Sequence, residues 1–409
     1  MIQITGINKN FDVVVDLVGS KSESNRALMI GYYGGFKPRI KNLSESDDTK
    51  LLKEIINSFS YPSYPKKIDC ANAGTVLRFL ATVLAVRDGE HVLTGSDRMQ
   101  QRPVGDLVDT LRKIGADIEY IGQEGFPPLR IHGKNIVETH GRASLPIHID
   151  ITRSSQFASS LLLATPIVQT CYGVSLHLDG DLSSLPYIDM TIDVMRKFGV
   201  KVHRDGRDIF LEPSDYQDVE YIVESDWTCA SYWYEIVALS ENGRARLRNL
   251  HLDSKQGDAI VANWFENFGV KSIQDGDDVV IEHVEAPETS QNRRNCVYTF
   301  DFINNPDLYP TIAATCAGLQ VEGRFTGLRN LIHKESDRVA AMTTELSRIE
   351  MSRHETSAIV FDSHNDHRIA MALAPLAMKI GAIEINNAEV VSKSYPGFWD
   401  EFQKIIPSR

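Results

Sequence analysis

A short polar or charged cluster running straight into an apolar, helix-patterned segment occurs six times in this chain. No other feature restricts the fold as much. The clusters are residues 20–26; Asn72-Ala73-Gly74-Thr75, leading through Arg78 into Phe79-Leu80; Ser154-Ser155-Gln156, leading into Leu161-Leu162-Leu163; Asp226-Trp227-Thr228-Cys229; Asn305-Pro306-Asp307-Leu308-Tyr309-Pro310; and Asn365-Asp366-His367-Arg368. They follow one another at roughly 50 to 80 residues, a repeat far longer than a short solenoid unit and suited to a repeated βα unit. Between them a second phrase recurs: amphipathic helix, Gly, strand. It appears at 104–118 around Gly115, at 190–202 around Gly199 and at 259–270 around Gly269, and residues 339–349 read as a fourth helix of this kind. Gly is the residue that lets a helix end and the chain reverse into a strand. Six such units in 409 residues predict an α/β protein of two domains with three units each.

The first cluster shows why these junctions attract interest. Residues 13–18 alternate as a strand, Gly19 permits a sharp turn, and Ser20, Ser22, Ser24 and Asn25 are all good helix caps. Lys21 and Arg26 place two cations at the positive end of a helix dipole, which opposes stability unless an anion sits there. The stretch is not a Walker P-loop, because G-x-x-x-x-G-K-[ST] is absent. The bodies of these helices are apolar (Leu77, Phe79, Leu80, Val83, Leu84) and are expected to be buried; Pro166 and Pro375 are expected to end or kink two of them.

Charge narrows the partners. The net charge is −12, which disfavours nucleic acid, so an anion-handling site must gather its cations locally. The five cysteines (Cys70, Cys171, Cys229, Cys296, Cys316) are odd in number and lack a C-x-x-C, which predicts reduced thiols and a cytoplasmic protein. No leader is expected at Met1-Ile2-Gln3-Ile4, and no apolar run reaches membrane-spanning length.

Further cations stand at turn-to-helix junctions: Arg102 before Pro103, Lys334 and Arg338 in Lys334-Glu335-Ser336-Asp337-Arg338, Arg368, and Lys393 in Lys393-Ser394-Tyr395-Pro396. Lys334 and Arg338 fall four apart, as on one helix face. Arg offers a fork for carboxylate or phosphate and Lys a compact charge. Asp307, in an apolar turn, reads as either a general base or a helix cap. Ser154-Ser155-Gln156 offers hydroxyls and an amide to a ligand, or again a cap. His364 and His367 lack a third ligand at suitable spacing, so no metal is expected.

Seven motifs in order, Gly19-Ser20-Lys21-Ser22-x-Ser24-Asn25-Arg26, Asn72-Ala73-Gly74-Thr75 with Arg78, Arg102-Pro103, Ser154-Ser155-Gln156, Lys334-Glu335-Ser336-Asp337-Arg338, Asn365-Asp366-His367-Arg368 and Lys393-Ser394-Tyr395-Pro396, together resemble the 5-enolpyruvylshikimate-3-phosphate synthase branch of the enolpyruvyl transferases. The resemblance implies transfer of the enolpyruvyl group of phosphoenolpyruvate to the 5-hydroxyl of shikimate 3-phosphate. It implies a two-domain inside-out α/β barrel, each domain three βαβαββ units with helix N-termini facing an interdomain cleft. The lower domain is expected to hold residues 1–18 and 226–409, the upper 19–225.

By the same resemblance Lys21, Ser22, Arg26, Ser154, Ser155, Gln156, Ser184, Tyr187, Asp307 and Lys334 would hold shikimate 3-phosphate. Lys21, Gly74, Arg102, Gln156, Arg338, Arg368 and Lys393 would hold phosphoenolpyruvate. Asp307 would take the hydroxyl proton, and Lys21 and Glu335 would handle protons at the enol methylene. A monomer without cofactor or metal, contacting neither nucleic acid nor membrane, is implied. Ala71, Phe79 and Trp227 depart from the family's pattern, and Asn330 is matched to its substrate-binding Asn. Gly74 is kept, which suggests glyphosate sensitivity. Two alternatives are an enolpyruvyl transferase acting on UDP-N-acetylglucosamine and a catalytically silent anion-binding scaffold. The first would need a loop cysteine, and the second would have lost Asp307, Glu335 or Lys21.

Overall fold

The structure, a computed structural model, describes residues 1–59, 66–133, 146–167, 173–284, 297–351 and 358–407. It divides into two compact units. A terminal unit takes Met1–Ser20, Glu45–Asp47 and Glu224–Arg409; an inserted unit takes Lys21–Ser44 and Asp48–Val223.

The chain enters through β1 (Ile2–Ile4) and β2 (Asn10–Val15) of the terminal unit. The inserted unit follows with α1 (Lys21–Gly34), β3 (Arg39–Lys41), α2 (Asp47–Ser58), β4 (Lys67–Asp69), α3 (Gly74–Val86), β5 (Gly89–Thr94), α4 (Gly105–Lys113), β6 (Asp117–Tyr120) and β7 (Leu129–Gly133). It continues with β8 (Ile147–Asp150), α5 (Gln156–Ala164), β9 (Val174–Asp179), α6 (Leu185–Lys197), β10 (Val202–Asp205), β11 (Asp208–Leu211) and β12 (Glu220–Ile222). The terminal unit resumes with α7 (Trp227–Leu239), β13 (Asn242–Leu247), α8 (Val261–Glu266), β14 (Val270–Asp275), β15 (Asp278–His283), β16 (Val297–Asp301), α9 (Tyr309–Leu319) and β17 (Glu322–Thr326). Then come α10 (Arg338–Met351), β18 (Ile359–Asp362), α11 (His367–Leu373), α12 (Ala377–Ile380), β19 (Ile383–Asn386) and α13 (Phe398–Gln403).

The described strands form three sheets per unit. In the inserted unit, β4-α3-β5-α4-β6-β7 builds a sheet of order β4-β5-β7-β6, and β8-α5-β9-α6-β10-β11 builds its counterpart of order β10-β11-β9-β8; β3 and β12 make the third. The terminal unit holds β14-β15-β13-β2, β16-β17 and β1-β19-β18. Strands joined by a crossover helix run parallel (β4 with β5, β8 with β9, β16 with β17, β18 with β19), while strands joined by a short turn, such as β10 with β11, run antiparallel.

The two kinds of helix read from the sequence are both present. Val76, Leu77, Phe79, Leu80, Val83 and Leu84 of α3 are all at most 2% exposed, so this helix is apolar all round and sits inside its unit. Removing one such side chain by Leu→Ala costs about 2–5 kcal/mol. By contrast α4 buries Leu107, Val108 and Leu111, ends in Arg112 and Lys113, and turns into β6 through Gly115 at φ +102°. Pro166 and Pro375 act as expected: α5 stops at Ala164 and α11 at Leu373, each passing into a short 3₁₀ turn that contains the proline. A proline there cannot donate the next helical hydrogen bond. Each unit has its own core. That of the inserted unit centres on α3, α5 and α6, and that of the terminal unit on α7, α9 and α11. No helix among the described residues is long and apolar enough to cross a membrane.

Candidate active site

In the inserted unit the candidate residues stand at the starts of α1, α3, α5 and α6. Lys21 is the first residue of α1, and its Nζ lies 3.2 Å from a carboxylate oxygen of Asp48. Arg26, one turn on, is 1% exposed. Its Nε donates to Thr191 Oγ1 (2.7 Å), Nη1 to the Ser22 carbonyl (2.9 Å), and Nη2 to Ser159 Oγ (3.2 Å) and the Tyr187 carbonyl (3.0 Å). The guanidinium thus ties α1 to α5 and α6 through neutral oxygens. Burial pulls its pKa down to about 10, partly opposed by Tyr187 and Glu23.

Gly74 opens α3, whose N-cap, Ala73, offers no side-chain cap. A Cβ built on Gly74 would lie 2.8 Å from Cζ and Nη2 of Arg102, so the guanidinium rests directly on this helix start and glycine makes room for it. Arg102 is held in turn by the Asn72 carbonyl at 3.4 Å. Ser154 Oγ accepts from the Gln156 backbone N–H at 3.3 Å, while Ser155, the N-cap of α5, makes no side-chain cap bond. The Gln156 amide is locked at both ends: Oε1 accepts from Arg78 Nη1 at 2.6 Å and Nε2 donates to Thr75 Oγ1 at 2.8 Å. Ser155 is buried at the N-cap of α5, and Ser184 takes a left-handed conformation (φ +54°) at the start of α6, with its carbonyl accepting from the Tyr187 N–H.

The terminal unit builds a denser arrangement around Asp307. Its Oδ1 meets Arg338 Nη1 at 2.7 Å and Lys334 Nζ at 3.2 Å, and its Oδ2 meets Arg368 Nη2 at 2.8 Å. Glu335 lies 3.0 Å from Arg338 Nη2 and 3.1 Å from Lys393 Nζ. Asp366, which caps α11 by accepting from the Arg368 N–H, also takes Arg338 Nε at 2.8 Å. Lys334, Arg338, Arg368 and Lys393 are thus interleaved with Asp307, Glu335 and Asp366.

Burial alone would raise the pKa of Asp307, but Arg368, Lys334 and Arg338 outweigh it and hold the carboxyl well below the usual range. Lys334 is pushed down by burial, against the pull of Asp307. Arg338 is lifted despite burial by Asp366, Asp307 and Glu335. Asn305 and Leu308, the N-cap positions before Pro306 and Tyr309, make no side-chain cap bond, and the Asp307 carboxylate between them is engaged by cations.

One expectation needs correction. Lys334 and Arg338 do not share a helix face. Lys334 ends a 3₁₀ turn (Arg329–His333) in extended conformation, and α10 begins at Arg338, with Asp337 Oδ1 accepting from the Ala340 N–H. The two cations meet only because both reach Asp307. Of the two histidines set aside at sequence level, His364 lies 2.8 Å from Glu345, and His367 is buried in α11. Cys70, Cys229 and Cys316 are buried thiols in no disulfide, while Cys171 and Cys296 lie outside the described residues.

Sequence reasoning missed several supporting groups. Asp48 stands against Lys21, Thr75 and Arg78 orient Gln156, and Thr191 and Ser159 hold Arg26. Asp258, 4% exposed, accepts from Thr228 Oγ1 (2.5 Å) and Asn305 Nδ2 (3.2 Å) behind the turn that carries Asp307. Burial, then Asp307, lifts its pKa to about 6, against Thr228, Arg368 and Asn305. Thr75 and Arg78 belong to the second motif, but nothing in the sequence ties them to Gln156, and Asp48, Thr191, Ser159 and Asp258 carry no motif signal; each role is defined by what folds against it.

The family model described as EPSP synthase (3-phosphoshikimate 1-carboxyvinyltransferase) matches residues 6–402. A 3-phosphoshikimate 1-carboxyvinyltransferase of Bacteroides fragilis (strain YCH46) is 37% identical over 408 residues, covering 95% of this chain and 94% of that protein. One of Vibrio cholerae (strain M66-2) is 33% identical over 430 aligned positions, covering 96% of each. Among solved structures, an EPSP synthase from Acinetobacter baumannii superposes with a TM-score of 0.70 at 21% identity, covering 98% of both chains. The enolpyruvyl transferase NikO from Streptomyces tendae does so with 0.67 at 14% identity, covering 98% of this chain and 96% of that one. At those identities the structural likenesses speak for the fold, which is that of the two-domain enolpyruvyl transferases. The near-complete match to the family model and the relatives above 30% identity make this chain a member of the EPSP synthase (3-phosphoshikimate 1-carboxyvinyltransferase) family.

Proposed function

We propose that the protein transfers the enolpyruvyl group of phosphoenolpyruvate to the 5-hydroxyl of 3-phosphoshikimate, releasing phosphate, and that its two units are the two domains of such an enzyme. The observation that carries the assignment of roles is the clamp on Asp307: a partly buried carboxylate held ionised by Lys334, Arg338 and Arg368. Ser22, Arg26, Ser154, Ser155, Gln156, Ser184 and Tyr187 of the inserted unit, with Lys21, Asp307 and Lys334, serve shikimate 3-phosphate. Gly74, Arg102, Gln156, Arg338, Arg368, Lys393 and Lys21 serve phosphoenolpyruvate.

Under this reading the carboxylate of phosphoenolpyruvate competes with Asp307 for Arg338 and Arg368. Drawing those cations away raises the pKa of Asp307, so the base gains strength as the substrates arrive. Asp307 takes the proton of the 5-hydroxyl while its oxygen bonds to the enol carbon, and the methylene gains a proton to become methyl. Loss of that proton and of phosphate from the tetrahedral adduct restores the enol. Lys21 and Glu335 serve the methylene steps. No metal or cofactor enters this scheme, and a cytoplasmic monomer is part of it. Phosphate release from shikimate 3-phosphate plus phosphoenolpyruvate, against each alone, tests the reading. Release only with both, and its collapse in Asp307→Ala and Lys21→Met, is expected; no release with both substrates would overturn it.

A further inference from the structure

Away from these residues, the inserted unit carries a row of ligand-type side chains across three adjacent strands. His148 on β8 stands opposite His177 on β9, and His177 stands opposite Asp208 on β11. Asp179 lies two residues beyond His177 and so shares its face of the sheet. The imidazole centroids are 5.0 Å apart. Among the described residues, His148, His177 and Asp179 are the one group of three or more such side chains whose ligand atoms all lie within 4.8 Å of one another.

We propose that this is a site for a divalent transition metal of the zinc class, held by His148 Nδ1, His177 Nε2 and an oxygen of Asp179. The geometry supports it. His148 Nδ1 lies 3.1 and 3.2 Å from the two oxygens of Asp179, and His177 Nε2 lies 3.7 Å from Asp179 Oδ1. Bonds of 2.0–2.1 Å to a tetrahedral zinc place neighbouring ligand atoms about 3.3 Å apart, between those separations. The second nitrogen of His177 is engaged as a ligating histidine requires: Nδ1 meets Asp208 Oδ1 at 2.6 Å, which fixes the tautomer and aims Nε2 at the ion.

The charges agree. Neither Asp179 nor Asp208 forms an ion pair with a described Lys or Arg, and neighbouring Arg207 donates instead to the carbonyls of Leu178 and Gly180. Two imidazoles with one carboxylate select zinc, nickel, cobalt or copper over calcium and magnesium, which prefer all-oxygen cages. The three ligands leave a position open to water, since His148 is half exposed. In place, the ion would cross-link the two strands that lead into residues 154–156 and 184–187.

Calorimetric titration of tag-free protein with Zn²⁺ tests the proposal, with the visible absorption of the Co²⁺ form as a second readout. One ion per chain and cobalt bands of tetrahedral intensity are expected. His148→Ala and His177→Ala should each abolish both, and Asp208→Asn should weaken zinc about tenfold. His203→Ala, at another exposed histidine–carboxylate pair, should change neither. These positions are on the outer face of the sheet, and unchanged far-ultraviolet circular dichroism would show that the variants fold. Failure to bind either ion, or binding that persists in both His148→Ala and His177→Ala, would overturn the proposal.

Discussion

Arg26 of the inserted unit and Arg338 of the terminal unit are each 1% exposed, yet their surroundings are opposite. Arg26 is held by hydroxyl and carbonyl oxygens, and its pKa falls to about 10. Arg338 is held by Asp307, Glu335 and Asp366, and its pKa rises. A buried cation bonded only to neutral groups keeps most of its desolvation cost, and an arriving anion relieves it. A cation already paired gains little from a new anion unless its carboxylate is released. The inserted unit is thus suited to accept charge, and the terminal unit to exchange it; in the reaction proposed above, an incoming carboxylate would displace Asp307 and turn a counter-ion into a base.

The sharpest way to break this contrast is Asp307→Ala. It is expected to lower kcat by about 10²- to 10⁴-fold, the usual worth of a positioned base, while Arg338, Arg368 and Lys334, relieved of Asp307, bind inorganic phosphate more tightly. Phosphate release and phosphate titration measure the two. A variant retaining a tenth or more of kcat would reduce Asp307 to a counter-ion.

Next in size is Arg338→Gln, which strands buried carboxylates and should cost about 3–5 kcal/mol in urea unfolding at pH 7. That cost should shrink as pH falls and the carboxylates protonate. Arg26→Gln, with neutral partners, should show the same cost at pH 7 and pH 5. Equal pH dependence in both variants would erase the distinction.

Glu235 sharpens the comparison from the other side. It is a fully buried carboxyl on α7 whose two oxygens have no hydrogen-bond partner among the described residues, and burial alone drives its pKa well above 4.5. Its folded pKa lies above the unfolded one, so wild-type stability is unaffected by it below about pH 4.5 and falls as pH rises toward the folded value. The slope is about 1.4 kcal/mol per pH unit. Glu235→Gln, which cannot ionise, should match wild type near pH 4 and exceed it increasingly at pH 6 and 8. Parallel stability curves would show that Glu235 has a cation or water Asp307-fashion.

The smallest effect is expected from Gly74→Ala. The new methyl meets the Arg102 guanidinium at 2.8 Å, the movable end of a flexible side chain, so the fold should hold and Arg102 should shift. A roughly tenfold rise in KM for phosphoenolpyruvate, equivalent to about 1.4 kcal/mol, with kcat within a few-fold, is the outcome to look for. An unchanged KM would remove Arg102 from that substrate's site.

The sequence made the architecture legible where local chemistry and period agree. The apolar body of α3, the Gly115 and Gly199 turns, the caps Asp226 and Asp366, and the prolines after α5 and α11 all act through residues a few positions away. The candidate cations were legible for a similar reason, since charges at the starts of apolar helices stand out against the pattern. Their partners were not. Asp48 faces Lys21 across 27 residues, and Gln156 is locked by Thr75 and Arg78 from 81 and 78 residues away.

The amino-acid sequence by itself determined the repeat, the α/β class and the set of special side chains, because helix period, turn residues and capping are short-range effects. The tertiary structure alone decided what each charge does. Ion pairing and desolvation depend on distances of a few ångströms between residues far apart in the chain. The spacing of Lys334 and Arg338 therefore misled, while their meeting on Asp307 was set by the turn before α9 and the start of α10. For the same reason the row formed by His148, His177 and Asp208 exists only once β8, β9 and β11 take their register.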